Sequence, residues 1–252
     1  MLTRHFHGQQ VKVGVGANRL ATATHFLSKY GFRKSDEVAS KQAPCSEIDA
    51  VILDDGMQHF ALQRDVEIVM MNALNPFGSG KLLPLGPLRE PLSALKRADA
   101  VILHHANLAT ENQLDRLRTK LRQVNHRLSV FSTGMFASHF FDNEDASSLI
   151  PLDFSRRRVL LCVSGIGCAD AFVMGMKRVG ARFVDDVGFT DHHKFDVRDM
   201  DVIRRRLRKL EEEFGEKATV VITEKDHDRD PCVFKVLYPY KDFEGLLMEN
   251  WS

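Results

Sequence analysis

The chain has 252 residues, 44% of them hydrophobic and 27% charged, with a formal net charge of +1. This composition is typical of a globular protein, and the length is sufficient for one large α/β domain or two smaller ones. The near-neutral charge gives no argument for nucleic acid as a partner. No apolar run approaches the roughly 20 residues needed for a transmembrane span. The four cysteines show no zinc-site spacing, so we expect reduced thiols.

The first half of the chain alternates strand and helix patterns. The predicted strands cover residues 11–15, 49–53, 66–72 and 100–103, and the predicted helices cover 20–30, 92–97 and 110–124. The last of these helices is amphipathic, with Leu114, Leu117 and Leu121 on one face. Repeated strand–helix units predict a parallel sheet.

The segment 131–158 breaks this alternation, because it combines clustered aromatic residues with an acidic patch at 142–145. We interpret it as strand-like linkers at a domain boundary. The pattern then resumes, with strands over 158–163 and 218–223 and helices over 169–179 and 196–214. The sequence therefore predicts two α/β/α units with parallel sheets, residues 1–130 and a smaller domain at 159–252, with a site in the cleft between them.

Two adjacent carboxylates, Asp54 and Asp55, follow the apolar run 51–53 and precede Gly56. A buried parallel strand ends in this way when its carboxyl edge faces a site. Neighbouring carboxylates are costly to hold together unless a cation shares their charge, and Mg²⁺ accepts carboxylate and phosphate oxygens together. The alternative is a solvated Asp-Asp-Gly turn.

A stiff, irregular loop is predicted over residues 77–91, which contain three prolines and three glycines. Arg89 stands within it and could bind a phosphate through two parallel hydrogen bonds. The alternative is a proline-rich surface crossover. The glycine pairs at 14 and 16 and at 165 and 167 leave open a dinucleotide-binding α/β protein, although neither pair has the full fingerprint.

Six segments in this order resemble the tetraacyldisaccharide 4'-kinase family of lipid A biosynthesis. They are DDGMQH at 54–59, GSGKLLPLGPLREP at 78–91, LKRADAVIL at 95–103, SGIG at 164–167, GFTDHHKF at 188–195 and TEKD at 223–226. The plant forms look most similar. The resemblance implies a P-loop-kinase-like α/β/α fold and transfer of the γ-phosphate of ATP, with Mg²⁺, to the 4'-hydroxyl of the tetraacyldisaccharide 1-phosphate precursor.

The resemblance also assigns roles to residues. It implies that Mg²⁺ is held by Asp54 and Asp55, and that the nucleotide is contacted by Asp54, Gln58, His59, Arg89 and Glu90. His192 and Asp191 match the motif whose His works with an Asp as the catalytic pair, although a turn histidine is the alternative. Arg19 matches an Arg that ends an early family loop. The segment 223–226 is expected to be structural or domain-closing.

Two parts of the family pattern are not found in the 252 residues. No Gly-x-x-x-x-Gly-Lys-Ser/Thr phosphate loop occurs, and the family's Gly-Asp-Glu, whose Asp pairs with the motif His, would precede Met1. We therefore expect the first strand and phosphate loop to be missing and the chain alone to be a very poor kinase. The alternative function is a catalytically inactive, shortened family member that acts as a binding or regulatory protein.

The resemblance implies a lipid-linked disaccharide substrate at a membrane surface as the partner, with no nucleic acid and no transmembrane span in this chain. The family's membrane-associating helix would also lie upstream. If the plant resemblance holds, the expected compartment is the mitochondrion. Otherwise it is the cytoplasmic face of the inner membrane.

Overall fold

The structure, a computed structural model, describes residue 6 and residues 10–33, 47–142, 149–230 and 245–248. Its helices are α1 (Arg19–Tyr30), α2 (Glu111–Val124), α3 (Ala169–Val179), α4 (Val197–Phe214) and α5 (Glu224–Arg229), with 3-10 helices at Leu92–Arg97, Ala106–Leu108 and Leu152–Ser155. Its strands are β1 (Ile68–Asn72), β2 (Ala100–His104), β3 (Ser129–Ser132), β4 (Phe140–Asp142), β5 (Leu149–Ile150), β6 (Val159–Ser164), β7 (Phe183–Gly188), β8 (Ala218–Thr223) and β9 (Gly245–Met248).

The first sheet contains β1, β2 and β3 in that order, all parallel. Helix α2 begins at a capping box in which Thr110 and Gln113 bond reciprocally, and this arrangement satisfies amides that the first turn leaves unpaired. The predicted leucine face of α2 packs on one side of the sheet, where Leu121 and Leu103 are buried in the same core. The opposite side is open, since Met70 and Phe131 are exposed.

The second sheet has six strands in the order β5-β4-β9-β8-β6-β7. Strands β9, β8, β6 and β7 are parallel, whereas β4 runs antiparallel to β5 and β9. Alternate side chains of β6 point to opposite faces: Leu161 packs with Ile203 of α4, and Leu160 packs with Phe172 of α3. Helices therefore cover both faces, and this explains why every residue of β6 and β8 is buried.

The two sheets meet near their carboxyl ends. Asn72, the last residue of β1, donates a hydrogen bond from Nδ2 to Sγ of Cys168, which precedes α3, over 3.1 Å. Leu108, which follows β2, is buried in the same core as Phe140 and Leu160. The loops that follow β1 and β6 therefore lie beside each other.

The predicted α/β class with parallel sheets is confirmed, and so are most of its elements. The predicted helices at 20–30, 110–124, 169–179 and 196–214 all form, as do the strands at 66–72, 100–103, 158–163 and 218–223. The short helix at 92–97 is a 3-10 helix. The strand-like segments expected within 131–158 include β4 and β5, which join the second sheet. The division into two domains stays a prediction.

Two strand predictions are wrong. Residues 11–15 and 49–53 form no strand, and Val15 and Ile52 are 88% and 94% exposed. An apolar run becomes a strand only when a neighbouring segment supplies backbone hydrogen bonds. Among the described residues beside the second run, only Ile48 forms a β-bridge, and its partner is Phe32. Strand β7 was not predicted, because Asp185 and Asp186 interrupt its apolar pattern.

Within the described parts of the chain, no helix is both long and apolar enough to cross a bilayer.

Candidate active site

The acidic pair lies in a tight turn rather than at a strand end. Asp55 has a φ of 50°, in the left-handed region that Asp tolerates better than most residues, and Gly56 after it is buried. The side chains of Asp54 and Asp55 are exposed. The turn therefore presents two carboxylates to solvent, as the predicted role in binding a cation requires.

Arg89 of the proline-rich loop binds this turn directly. Its Nη1 atom lies 2.8 Å from Oδ1 and 2.9 Å from Oδ2 of Asp55, and 3.4 Å from Oε1 of Gln58. Arg89 and Asp55 are both more than half exposed, so solvent screens the pair and it adds little to stability. The contact shows that two segments distant in the sequence lie side by side.

Glu90 is held next to this pair by two other side chains. Gln58 donates from Nε2 to Oε1 of Glu90 over 3.0 Å, and Nη2 of Arg97 lies 2.8 Å from Oε2. The hydrogen bond from Gln58, followed by that from Arg97, lowers the pKa of Glu90. Glu90 is therefore ionised at neutral pH. Arg97 was not singled out from the sequence, although it lies within the LKRADAVIL segment.

His59 lines a separate cavity of about 420 Å³ at the start of α1. The cavity is bordered by Ala17, Asn18, Arg19, Leu20, His59, Ala61 and Leu62. Asn18 caps α1 by accepting a hydrogen bond from the amide of Ala21. Arg19 and His59, which were named separately from the sequence, thus border one cavity.

Asp191 and His192 lie in the second half of the chain, on the loop between β7 and α4. The His192 amide donates to the Gly165 carbonyl over 3.1 Å and to Oδ1 of Asp191 over 3.0 Å. The imidazole Nε2 is 3.6 Å from Oδ2 of Asp191, and the side chain of His192 is 75% exposed. Lys225 completes the group, with Nζ 3.6 Å from Oδ1 of Asp191.

The neighbouring His193 has a different environment. Its Nε2 lies 2.8 Å from Oδ2 of Asp199, and its ring stacks on Phe189 and meets the edge of Phe195. These contacts anchor His193 in the α4 side of the core. Of the two adjacent histidines, His192 is therefore the one with its imidazole available to a substrate.

The structure brings together Asp55, Gln58, Arg89 and Glu90, as predicted for one site. Asp191 and His192 are held by contacts with the Gly165 loop and α5, in the other half of the chain. Sequence reasoning missed Lys225 as the partner of Asp191, although it lies within the TEKD segment. Among the described residues, no cluster of three or more potential metal ligands is present. The catalytic, nucleotide and metal roles stay predictions.

The fold and the site thus define a parallel α/β protein in which an arginine-bearing loop contacts an acidic turn. Residues 1–236 match the family profile described as LpxK, tetraacyldisaccharide-1-P 4'-kinase. The chain belongs to this family.

Individual relatives agree. The chain is 45% identical over 249 residues to a probable mitochondrial tetraacyldisaccharide 4'-kinase of Arabidopsis thaliana, covering 95% of this chain and 63% of that protein. It is 35% identical over 186 residues to a tetraacyldisaccharide 4'-kinase of Halothermothrix orenii, covering 71% of this chain and 47% of the relative. The chain therefore spans roughly half to five-eighths of these two relatives' lengths.

A solved structure is also similar in part. It is the apo form of LpxK from Aquifex aeolicus in complex with ATP, at 22% sequence identity and a TM-score of 0.37. The similarity covers 77% of this chain and 50% of the Aquifex chain.

Proposed function

We propose that the chain carries part of the active site of an ATP-dependent kinase that phosphorylates the 4'-hydroxyl of a tetraacyldisaccharide 1-phosphate. The observation that carries this proposal is the contact of Asp55 with Arg89, which joins the acidic turn to the proline-rich loop. Both segments belong to a chain shown to be a member of the kinase family.

In this proposal the first group of residues handles the phosphates and their metal ion. Enzymatic phosphoryl transfer depends mainly on positioning and on neutralising charge. Asp54 and Asp55 offer exposed carboxylate oxygens, the donor type that Mg²⁺ prefers, and they would hold the ion. The bound Mg²⁺ would supply positive charge to the nucleotide phosphates. Arg89 adds a guanidinium that can exchange Asp55 for a phosphate oxygen.

The second group handles the proton of the acceptor hydroxyl. An imidazole such as that of His192 can hydrogen-bond a carboxylate base and tune its basicity. Oδ2 of Asp191 lies next to the His192 ring, and Oδ1 of Asp191 pairs with Lys225. The exposed ring can therefore reach a substrate while its own backbone is tied down.

A second candidate function is a binding or regulatory protein without kinase activity. It would fit an Arg89 whose guanidinium stays on Asp55 instead of binding a phosphate. The two candidates differ in whether ATP binds where Asp55 and Arg89 meet.

Calorimetry of Mg²⁺-ATP binding tests the proposal. It should compare this chain with a chimera, in which the chain is joined to the part of the Arabidopsis relative that the match does not cover. The kinase proposal expects tight binding by the chimera, weakened by Arg89→Ala, and weaker binding by the chain alone. If the chimera binds no ATP, the non-catalytic function is supported. If the chain alone binds as tightly as the chimera, the site does not require a phosphate loop.

We further propose a mitochondrial location, supported by the name of the Arabidopsis relative. We also propose a substrate presented at a membrane surface, because the substrate named in the family description carries four acyl chains. A fluorescent fusion of the complete coding sequence that co-localises with a mitochondrial marker supports the first point. Co-sedimentation of the chimera with vesicles that contain the acylated disaccharide tests the second. The alternative location is the cytoplasmic face of a bacterial inner membrane.

A further inference from the structure

The first turn of α5 contains a carboxylate that is completely buried. Asp226 has an exposed fraction of 0%. Its Oδ2 accepts a hydrogen bond from Thr223 Oγ1 over 2.6 Å, and its Oδ1 accepts one from the Gly165 amide over 3.2 Å. Burial raises the pKa of Asp226, against the opposing effect of these hydrogen bonds and of Arg229. The fold therefore keeps a carboxylate in a place where burial disfavours its charge.

Arg229, one turn further along α5, completes a clamp around the Gly165 peptide. Its Nη1 lies 3.2 Å from Oδ1 of Asp226, 3.1 Å from the Gly165 carbonyl and 3.2 Å from the His193 carbonyl. Both polar groups of the Gly165 residue are thus held by side chains of α5. There is little room for adjustment, because a Cβ at Gly165 would stand 3.1 Å from Cβ of His193.

The clamped carbonyl is the one that receives the His192 amide. His192 itself has a φ of 60°, a left-handed conformation that costs energy for a residue other than glycine and persists only when its surroundings enforce it. Two contacts hold this conformation: the hydrogen bond from the His192 amide to the Gly165 carbonyl, and the hydrogen bond from the Arg229 guanidinium to the carbonyl of the next residue, His193. A buried ion pair gives little net stability but can select one conformation.

We infer that Asp226 and Arg229 are positioning residues that set the place of the His192 imidazole through the Gly165 peptide. The inference rests on the proposed function for its catalytic consequence, but its structural part stands independently. It gives the TEKD segment a role beyond packing. Lys225 of the same segment adds a further contact near His192, since it pairs with the neighbouring Asp191.

Amide hydrogen exchange in the 252-residue chain, followed by NMR, tests the structural part. Arg229→Met should speed exchange of the His192 and Gly165 amides by roughly tenfold or more, while the Val221 amide in central strand β8 stays within about twofold. Arg229→Lys should give an intermediate effect. Arg205→Met, which removes an exposed arginine of α4, is the matched control and should leave both amides unchanged.

Unchanged exchange at His192 in Arg229→Met overturns the inference. Equal acceleration at His192 and Val221 also overturns it, because the residue would then support only global stability. If Arg229→Met does not fold, the same comparison in Arg229→Lys and Asp226→Asn decides the question.

Kinetics of the chimera test the catalytic consequence. Arg229→Met should lower kcat by roughly tenfold or more and leave KM for ATP within about twofold, with partial recovery in Arg229→Lys. If Arg229→Met has a normal kcat although its His192 amide exchanges fast, the catalytic role of Asp226 and Arg229 is overturned. If the unmodified chimera transfers no phosphate, the proposed function fails, and the exchange comparison still decides whether the clamp positions His192.

Discussion

Arg89 Nη1 lies within 2.8 Å and 2.9 Å of the two carboxylate oxygens of Asp55, although 34 residues separate the two in the chain. A single nitrogen of the proline-rich loop thus contacts both carboxylate oxygens of Asp55 in the acidic turn. Since both side chains are largely exposed, the contact adds little to stability, and the proposed function requires Arg89 to exchange it for a phosphate and Asp55 to exchange it for a metal ion.

Asp55→Ala should reduce phosphate transfer by the chimera by roughly 10²- to 10³-fold, because it removes the charge that contacts Arg89 and that we propose to hold the metal ion. The matched control is Asp65→Ala, which removes an exposed carboxylate from the same part of the chain. Steady-state kinetics at saturating Mg²⁺-ATP measure both variants. Near-normal turnover in Asp55→Ala would show that Asp55 is not a metal ligand.

His192→Ala should lower kcat more than it raises KM, because an imidazole that acts on the acceptor proton contributes mainly in the transition state. The expected loss in kcat is roughly 10²- to 10⁴-fold. His126→Ala, at an exposed position after α2, is the control. The assignment is contradicted if the two histidine variants have the same kcat.

His105 should make the stability of the chain depend on pH. Desolvation, followed by the charge of His104, lowers the pKa of His105 to about 4. The unfolded chain takes up this proton near pH 6.5, whereas the folded chain does not. The stabilising contribution is thus complete above pH 6.5 and is lost as the pH falls toward 4, by up to about 3 kcal/mol.

Urea unfolding between pH 7 and pH 4 measures this effect. His105→Asn should flatten the pH dependence, since Asn tolerates the left-handed φ of 60° at this position. His126→Asn is the control and should behave like the parent chain. A parent-like slope in His105→Asn would show that another group is responsible.

Leu161→Ala should destabilise the chain by about 2–5 kcal/mol, because Leu161 is fully buried between β6 and α4 and its removal leaves a cavity. Leu149→Ala, at an exposed site of β5, should change the free energy of unfolding by no more than about 0.5 kcal/mol. Urea denaturation of both variants gives the comparison. Equal effects would contradict the placement of β6 between β8 and β7 with helices on both faces.

The elements that could be predicted are those whose signals are local. Helix α2 has its leucines at helical spacing and a capping Thr110, so its limits could be read within about a residue. The apolar run 49–53 has an equally clear pattern, but strand formation depends on a neighbour that a pattern does not reveal. Strand β7 gives the opposite case, because Asp185 is accommodated by Arg206 of α4, which is distant in sequence.

The site could be predicted to the level of segments but not of contacts. The sequence singled out Asp55, Arg89 and Glu90, while Arg97 and Lys225 emerged only from their contacts in the structure. It also could not separate His192 from His193 in physical terms. That difference depends on Asp199 and on two aromatic rings, which surround His193 only after α4 packs on the sheet.

Phosphate transfer to the 4'-hydroxyl, as proposed here, is tested most directly by an assay with γ-labelled ATP, Mg²⁺ and the tetraacyldisaccharide 1-phosphate. We predict that the chimera forms a labelled product whose ³¹P NMR spectrum shows a second phosphomonoester at the 4' position, and that Asp55→Ala abolishes most of it. Absence of labelled product from a folded chimera that binds ATP, or label at another position, would contradict the account.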